Sequence, residues 1–212
     1  MKGQPQQSGS LEPIVQYLNG HKEKTLAISL LETMGKHAWQ WQEYDDVSKC
    51  FFKIKEYNLS IKYGELALST AYTNERMWVS RANLINVYNQ ANQPELALLQ
   101  IKAQEAVIPE DQDTRLEKAF AHFLMGERDK AETILLAELE RPDLTEETHT
   151  KILFNWGTYC LYRDEFQKGL RLFLFEGKKL DYWKKPKLPG SFWEGGIQPG
   201  RDIVLYAEAG IG

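Results

Sequence analysis

The stretch MWVSRANLINVYNQANQPELALLQIKAQEAVIP, residues 77–109, decides the fold of this chain. It reads as two short amphipathic helices joined by a tight turn at residues 90–93. Apolar residues recur at helical spacing in the first helix, at Trp78, Leu84, Ile85, Val87 and Tyr88. The second helix begins at Pro94, which suits a first helical turn because it has no N–H group, and Pro109 stops it. A lone helical hairpin cannot bury both of its apolar faces, so the pattern predicts further copies of the unit.

Copies of this hairpin can be aligned along the chain. The alignment is anchored on a small residue early in each second helix, namely Ser60, Ala97, Ala131 and Gly169, at spacings of 37, 34 and 38 residues. A small residue is expected there because two helices that cross closely leave no room for a large side chain. The inward position of each first helix lies nine residues before the anchor, at Phe51, Tyr88, His122 and Cys160.

Two further columns support the alignment. The interhelical turn lies five residues before the anchor, at Lys55, Asn92, Gly126 and Asp164, and three of these four residues are turn formers. The column four residues after the anchor holds Gly64, Ile101, Leu135 and Phe173. Agreement of several columns across four units is hard to obtain by chance, so the alignment predicts a helical repeat.

This pattern resembles the tetratricopeptide repeat, a family of 34-residue helix–turn–helix units. The best-matching residues are Tyr88, Ala97, Ile101, Pro109, Gly126, Ala131, Leu135, Trp156, Gly157, Phe166, Gly169 and Phe173. The resemblance covers roughly residues 41–180 and implies an all-α fold, a right-handed superhelix of helical hairpins with a non-helical C-terminal extension. Two units are longer than 34 residues, Gly64 replaces an aromatic residue and His122 replaces a tyrosine, so we expect irregular helix lengths there.

Composition along the chain predicts four segments. Residues 1–10 are polar and are expected to be a disordered leader, and residues 11–180 form the helical repeat domain, which begins with a degenerate capping hairpin. Residues 181–201 form a linker rich in proline, glycine and aromatic residues. Residues 202–212 predict a buried strand and a turn. Because a strand without a partner leaves backbone groups unpaired, we interpret this last segment as the start of a truncated second domain.

The C-terminal segment also resembles a junction found in bacterial and phage proteins. In those proteins, tetratricopeptide repeats lead into a domain related to O-linked N-acetylglucosamine transferase. The matching residues are Pro189, Trp193, Gly195, Gly200, Ile203, Leu205, Glu208, Gly210 and Gly212. The resemblance implies a parent protein that is a sugar-nucleotide-dependent transferase or a degenerate relative of one. The nucleotide-binding and catalytic residues would lie beyond Gly212, so we expect this chain to be no enzyme and to need no cofactor.

Composition excludes several other classes of function. The net charge of −4 gives no electrostatic reason to expect nucleic acid binding, and the lysine cluster at 178–187 is interpreted as a solvated linker. No run of 18 apolar residues predicts a membrane span. The two cysteines fall in different units, which fits a reducing cytoplasm, and the four histidines show no metal-ligand spacing.

In a tetratricopeptide superhelix, the first helices line a concave groove. Their outward-facing residues here would be Asp46, Lys49, Lys53, Asn83, Asn86, Asn89, Glu117, Phe120, Asn155, Thr158 and Tyr162. Asparagine offers a donor and an acceptor and can hold a peptide backbone without reading its side chains. The repeat arrays of O-linked N-acetylglucosamine transferases are similar in having groove asparagines that hold extended peptide.

The leading hypothesis is therefore a protein-interaction scaffold that binds a peptide or protein segment in this groove, as the N-terminal repeat arm of a glycosyltransferase-like protein. One alternative is that these residues form ordinary solvated helix faces. Another is a structural oligomerisation module, with Phe120, Phe123 and Leu124 as the self-pairing surface. A carboxylate clamp of the chaperone-binding kind would need a set of lysine, asparagine and arginine residues, of which Lys49, Lys53 and Asn86 supply part.

Overall fold

The structure, a computed structural model, describes residues 12–109 and 111–173, and every regular element in these ranges is helical. In chain order, the helices are α1 (Glu12–Gly20), α2 (Lys24–His37), α3 (Trp41–Lys53), α4 (Tyr57–Thr70), α5 (Asn74–Gln90), α6 (Pro94–Glu105), α7 (Gln112–Leu124), α8 (Arg128–Leu139), α9 (Glu146–Leu161) and α10 (Phe166–Arg171). Helices that are adjacent in the chain pack against each other, so the predicted all-α class is confirmed for this part of the chain. The predicted leader, linker and terminal strand lie outside the described residues.

The helices pair into five hairpins whose turns share one geometry. Each turn has one residue in the left-handed region, namely Lys22 (φ 62°), Lys55 (60°), Asn92 (56°), Gly126 (77°) and Asp164 (62°). The next residue then donates its N–H to the carbonyl five positions earlier, as in the bond from Gln93 to Tyr88 at 2.8 Å. This is the Schellman closure of a helix C-terminus. The hairpin α1–α2, expected to be degenerate, has the same closure from Glu23 to Leu18 at 2.9 Å and is therefore a fifth copy of the unit.

The anchor column lies at the centre of each hairpin. Ser60, Ala97 and Ala131 are completely buried, as is Ala27, the equivalent residue of the first hairpin. Gly169 is also buried, and a Cβ atom added there would lie 2.8 Å from the Leu161 side chain. The anchor must therefore be small because its hairpin partner crosses within contact distance.

Helix length varies where the repeat spacing is long. The two longest first helices are α5 with 17 residues and α9 with 16, and they belong to the units with the longer spacings. In the two hairpins that contain Gly64 and His122, each helix has an ordinary length of 12–14 residues. The irregular helix length expected at those two substitutions is therefore absent. His122 instead places its Nδ1 2.6 Å from Glu127 Oε2, which ties the α7–α8 turn together.

The central hairpin begins earlier than its sequence indicated. The first helix starts at Asn74 rather than near Met77, because the Thr73 side chain accepts the N–H of Arg76 at 3.3 Å and caps it. The second helix ends at Glu105, before Pro109 is reached. The predicted turn at residues 90–93 is confirmed.

Candidate binding surface on the first helices

The first helices of successive hairpins contact one another directly. Between α3 and α5, the Trp41 indole donates its Nε1–H to Ser80 Oγ at 2.8 Å. One turn along α5, Asn83 Nδ2 donates to Asp45 Oδ1 at 2.8 Å, and Asp45 also pairs with Lys49. Asp45 is buried, and within the described residues its Oδ1 accepts a hydrogen bond while its Oδ2 has only the ion pair with Lys49. We call the surface formed by α3, α5, α7 and α9 the first-helix layer.

The contact between α5 and α7 is made by Asn89 and Glu117. Asn89 Nδ2 donates to the Glu117 main-chain carbonyl at 3.1 Å and to Glu117 Oε2 at 2.7 Å. Asn89 is only 2% exposed, which corrects the expectation that it points outward into a groove. Its Oδ1 atom is buried and has no hydrogen-bond partner within the described residues.

Glu117 is a half-buried carboxylate in an electrostatically unfavourable position. Burial raises its pKa, the hydrogen bond from Asn89 acts in the opposite direction, and the nearby Asp113 carboxylate raises the pKa further. Among the residues that the structure describes, no lysine, arginine or histidine pairs with Glu117. The charged form of this side chain is thus held by one amide alone.

The contact between α7 and α9 is aromatic. The ring of Phe123 stacks on that of Tyr159 with centroids 4.1 Å apart, and Tyr162 meets Phe123 edge-on at 5.2 Å. Phe120 lies 6.5 Å from Phe123, so the four rings are continuous. The Tyr159 hydroxyl is buried without a partner in the described ranges, and burial together with the Glu117 charge raises its pKa. Tyr162 is 63% exposed and forms the outer edge of the cluster.

The remaining predicted residues are more dispersed. Asp46 is half-buried and accepts a hydrogen bond from Gln42 Nε2 at 3.0 Å, while Lys49 and Lys53 are exposed. Thr158 donates to the Phe154 carbonyl of its own helix at 3.0 Å. Asn86 and Asn155 are partly exposed, and neither side chain has a hydrogen-bond partner in the described part of the chain.

The structure thus gathers Asn89, Glu117, Phe120 and Tyr162 into one place and adds residues that the groove prediction omitted. Phe123 had been assigned to the oligomerisation alternative, and Tyr159 had not been considered. Tyr159 lies four residues after Asn155, so helical spacing alone could have placed it on the same face. Asp45 was missed because its neighbour Asp46 was predicted to face the groove.

Other kinds of site receive no support from the described residues. In residues 12–109 and 111–173, no three histidine, cysteine or acidic side chains are arranged to hold a metal ion. No helix in the same ranges has the length and apolar character needed to cross a membrane. Cys50 and Cys160 are buried and unpaired, and burial raises the pKa of the Cys50 thiol to about 11.

Comparisons of the chain with models of protein families, with curated proteins and with solved structures found no match in any of the three. The residues of the first-helix layer are therefore the basis on which a function is inferred.

Proposed function

We propose that this chain is a protein-interaction scaffold that binds an extended segment of another protein along its first-helix layer. The proposal agrees with the tetratricopeptide repeats that the sequence pattern resembles. The observation that carries it is that the first helices contact one another closely and that the same layer has two partly exposed amides, Asn86 and Asn155, without a hydrogen-bond partner in the described part of the chain.

The packing of the hairpins supports a concave surface on this side. The first helices contact each other across α1–α3, α3–α5 and α5–α7, whereas no successive pair of second helices makes a comparable contact in the described ranges. When the helices of one layer lie closer together than those of the other layer, the stack bends so that the closer layer is on the concave side. The first helices would therefore line the inner face of a superhelix, where repeat proteins of this architecture bind their partners.

The available polar groups suit a peptide backbone. Asn86 on α5 and Asn155 on α9 are partly exposed, and each amide can donate to a carbonyl and accept from an N–H group. Asn83 is less suitable because it is bonded to the buried Asp45. The residues that we propose to bind the peptide backbone are therefore Asn86 on α5 and Asn155 on α9. Glu117 on α7 and Tyr162 on α9 would contact side chains of the same segment.

We further propose that the chain is the repeat arm of a glycosyltransferase-like protein and presents an acceptor protein to the transferase domain. The support is the junction resemblance in residues 189–212, which lie outside the described residues. The chain itself would then have no catalytic residues, and sugar-nucleotide hydrolysis measured on it should be zero. The cytoplasmic location stays a prediction from the cysteine count.

The oligomerisation alternative has less support. Phe120, Phe123 and Leu124 are half-buried, and Phe123 is stacked against Tyr159 within the same chain. These residues therefore offer little of the apolar surface that self-pairing requires. Light scattering over a wide concentration range decides this point. A chain that stays monomeric throughout would exclude an oligomerisation function.

Peptide binding is tested first with a panel of immobilised peptides. The peptide that binds most tightly is then measured against variants of this chain. The double variant Asn86→Ala and Asn155→Ala should weaken binding about tenfold, because two hydrogen bonds are worth roughly 1–3 kcal/mol together. Its melting temperature should stay unchanged, since neither amide supports the fold. Asn58→Ala, an exposed asparagine on the second helix α4, is the matched control and should leave binding intact. If no peptide in the panel binds, or if the double variant binds as tightly as the unmodified chain, the proposed function is wrong.

A further inference from the structure

We propose that the junction of α5, α7 and α9 is a subsite for an arginine side chain of the bound segment. The residues that form it, which we call the Glu117 subsite, are Asn89, Glu117, Phe120, Phe123, Tyr159 and Tyr162. The inference rests on the proposed function and adds the chemistry of one partner residue to it.

The first argument is that Glu117 lacks a cation among the described residues, whereas three other buried or half-buried acids that join different helices have one. Buried Asp45 pairs with Lys49, buried Glu138 pairs with Arg115, and half-buried Glu132 pairs with both Arg163 and Lys168. Acidic side chains removed from water are normally paired in this way, because an isolated charge is costly to bury. Glu117 has only the Asn89 amide, and Asp113 is the charged group acting beside it. A cation from outside the chain would complete the pattern.

The second argument is that two buried polar atoms of the same helix junction have no hydrogen-bond partner among the described residues. Asn89 Nδ2 donates to two acceptors of Glu117, which fixes the amide orientation and leaves Oδ1 as an acceptor close to the carboxylate. Tyr159 is 4% exposed, and its hydroxyl is the second unpaired polar atom here. Both residues are more than nine-tenths buried, and such groups are usually hydrogen-bonded. A guanidinium has five N–H donors and can satisfy several acceptors at once, in part through a bridging water.

The third argument is the shape and chemistry of the surrounding rings. Phe120 and Phe123 follow Glu117 on α7 and form a ring cluster with Tyr159 and Tyr162 of α9, and ring faces attract cations. A planar guanidinium also stacks on aromatic faces, which an ammonium group does not do. The chain already contains this contact, because the Arg76 guanidinium lies 5.1 Å from the Trp41 ring centroid and 4.6 Å from that of Tyr72. The Glu117 subsite has the rings and the acid, and no arginine among the described residues pairs with that acid.

Access to the subsite is from the exposed edge. Glu117 is partly exposed, with Oε2 engaged by Asn89 and Oε1 without a partner among the described residues. Tyr162 is exposed at the outer edge of the ring cluster, where it meets Phe123. The incoming side chain would meet the carboxylate and the exposed Tyr162 ring, and it would reach Asn89 Oδ1 and Tyr159 Oη, which are buried, only after a shift of the side chains that cover them.

The experiment is an NMR titration of the isotope-labelled full chain with three peptides. Each is a short acetylated glycine–serine peptide with one central residue, which is arginine, citrulline or lysine. Citrulline has nearly the shape of arginine but no charge. We expect saturable shifts at α5, α7 and α9 with the arginine peptide, binding at least tenfold weaker with citrulline, and intermediate binding with lysine.

Variants locate the effect. Glu117→Gln should weaken binding of the arginine peptide by roughly tenfold or more, as loss of a charge-assisted hydrogen bond does. Binding of the citrulline peptide should be unaffected. Tyr162→Ala should weaken the arginine peptide by removing an exposed ring. Glu95→Gln, which makes the same charge change at an exposed residue on the second helix α6, should have no effect.

Several results would overturn the inference. Equal binding of the arginine and citrulline peptides, or of the unmodified chain and Glu117→Gln, would show that no cation subsite exists while leaving the peptide-binding proposal intact. Tighter binding of lysine than of arginine would contradict the assignment to arginine. Absence of any shift at millimolar peptide would overturn the subsite, and the proposed function would then be judged by the peptide panel alone.

Discussion

Asn89 on α5 donates its side-chain amide to the Glu117 carboxylate on α7 at 2.7 Å, and this bond joins two neighbouring repeats of the stack. Both residues had been expected to face a groove independently. They instead bind each other, so this position is a contact between two hairpins in which the Glu117 carboxylate has no cation among the described residues.

Replacing this acid should stabilise the protein at neutral pH. The pKa of Glu117 is raised above its ordinary value of 4.5, so the folded chain binds a proton more readily than the unfolded chain. The free energy of unfolding therefore falls as pH rises from 4.5 through the folded pKa, and the penalty is complete above it. Glu117→Gln should raise the melting temperature at pH 7, and this gain should disappear near pH 4.

Thermal melts of Glu117→Gln and of Glu95→Gln across this pH range check the prediction. The control at exposed Glu95 should show no pH-dependent difference. A lower melting temperature for Glu117→Gln at pH 7 would mean that the carboxylate is stabilising, and the case for an unpaired acid would be lost.

The opposite pH dependence is expected at Glu132. This side chain accepts from Trp156 Nε1 at 2.8 Å and from Arg163 at 2.7 Å, linking α8 to the last hairpin. Burial acts to raise its pKa, but the hydrogen bonds from Trp156 and Lys168, together with the charges of Lys168 and Arg163, outweigh burial and lower the pKa. The stability that it contributes is present above pH 4.5 and is lost as pH falls through the folded pKa.

Glu132→Gln should therefore lower the free energy of unfolding at pH 7 by about 1–3 kcal/mol, the usual cost of losing hydrogen bonds to a charged group. Denaturant unfolding measures this. The matched control is Glu147→Gln, whose pair with Lys151 is exposed and screened by solvent and is therefore expected to contribute little. Equal losses in the free energy of unfolding for the two variants would show that the Glu132 contacts stabilise the protein no more than an exposed ion pair does.

The turn residues provide a test of the repeat geometry. Lys55 has a φ of 60°, a conformation that is unfavourable for a side chain with a Cβ atom and that glycine adopts freely. Lys55→Gly should raise the free energy of unfolding by about 1 kcal/mol, and Gly126→Ala should lower it by a similar amount. Lys62→Gly, within helix α4, should lower it by about 1 kcal/mol because glycine is a poor helix former. A destabilised Lys55→Gly variant would contradict the left-handed turn.

A second packing test concerns Gly35. A Cβ atom at this position would lie 2.2 Å from Cε1 of Tyr63, whose ring stacks on Phe51 in the core of the first two hairpins. Gly35→Ala should lower the free energy of unfolding by about 1–3 kcal/mol, as overpacking does. Gly20→Ala is the control, since a Cβ atom there meets nothing within 4 Å. Calorimetry should show a clear loss for the first variant only, and an unchanged Gly35→Ala melt would mean that Tyr63 does not cover this glycine.

The hairpins could be predicted from sequence because their requirements are local. A small anchor residue, a turn five residues earlier and an inward residue nine positions earlier all follow from helix spacing within one unit. Lys55 is instructive, since its residue type does not favour a turn and only its alignment with Asn92 and Gly126 placed it there. Tertiary packing of the hairpin outweighs the preference of the individual residue.

The proposed binding surface was less predictable because it depends on how one hairpin is rotated against the next. One residue along a helix turns the side chain by about 100°, so Asp45 is buried between α3 and α5 while its neighbour Asp46 is half-exposed. Asn89 was misplaced for the same reason. No local pattern gives the rotation between repeats, which is set by contacts such as the stacking of Phe123 on Tyr159.

The most direct test of protein binding on the first-helix layer is photo-crosslinking with the tightest peptide from the panel. A photoreactive amino acid would be placed in turn at Asn86 and Asn155 on the first helices, and at Asn58 and Leu99 on the second helices α4 and α6. We predict crosslinks from the two first-helix positions and none from the two second-helix positions. Crosslinking from Asn58 or Leu99 with none from Asn86 or Asn155 would show that the partner binds the opposite face and would contradict the proposed function.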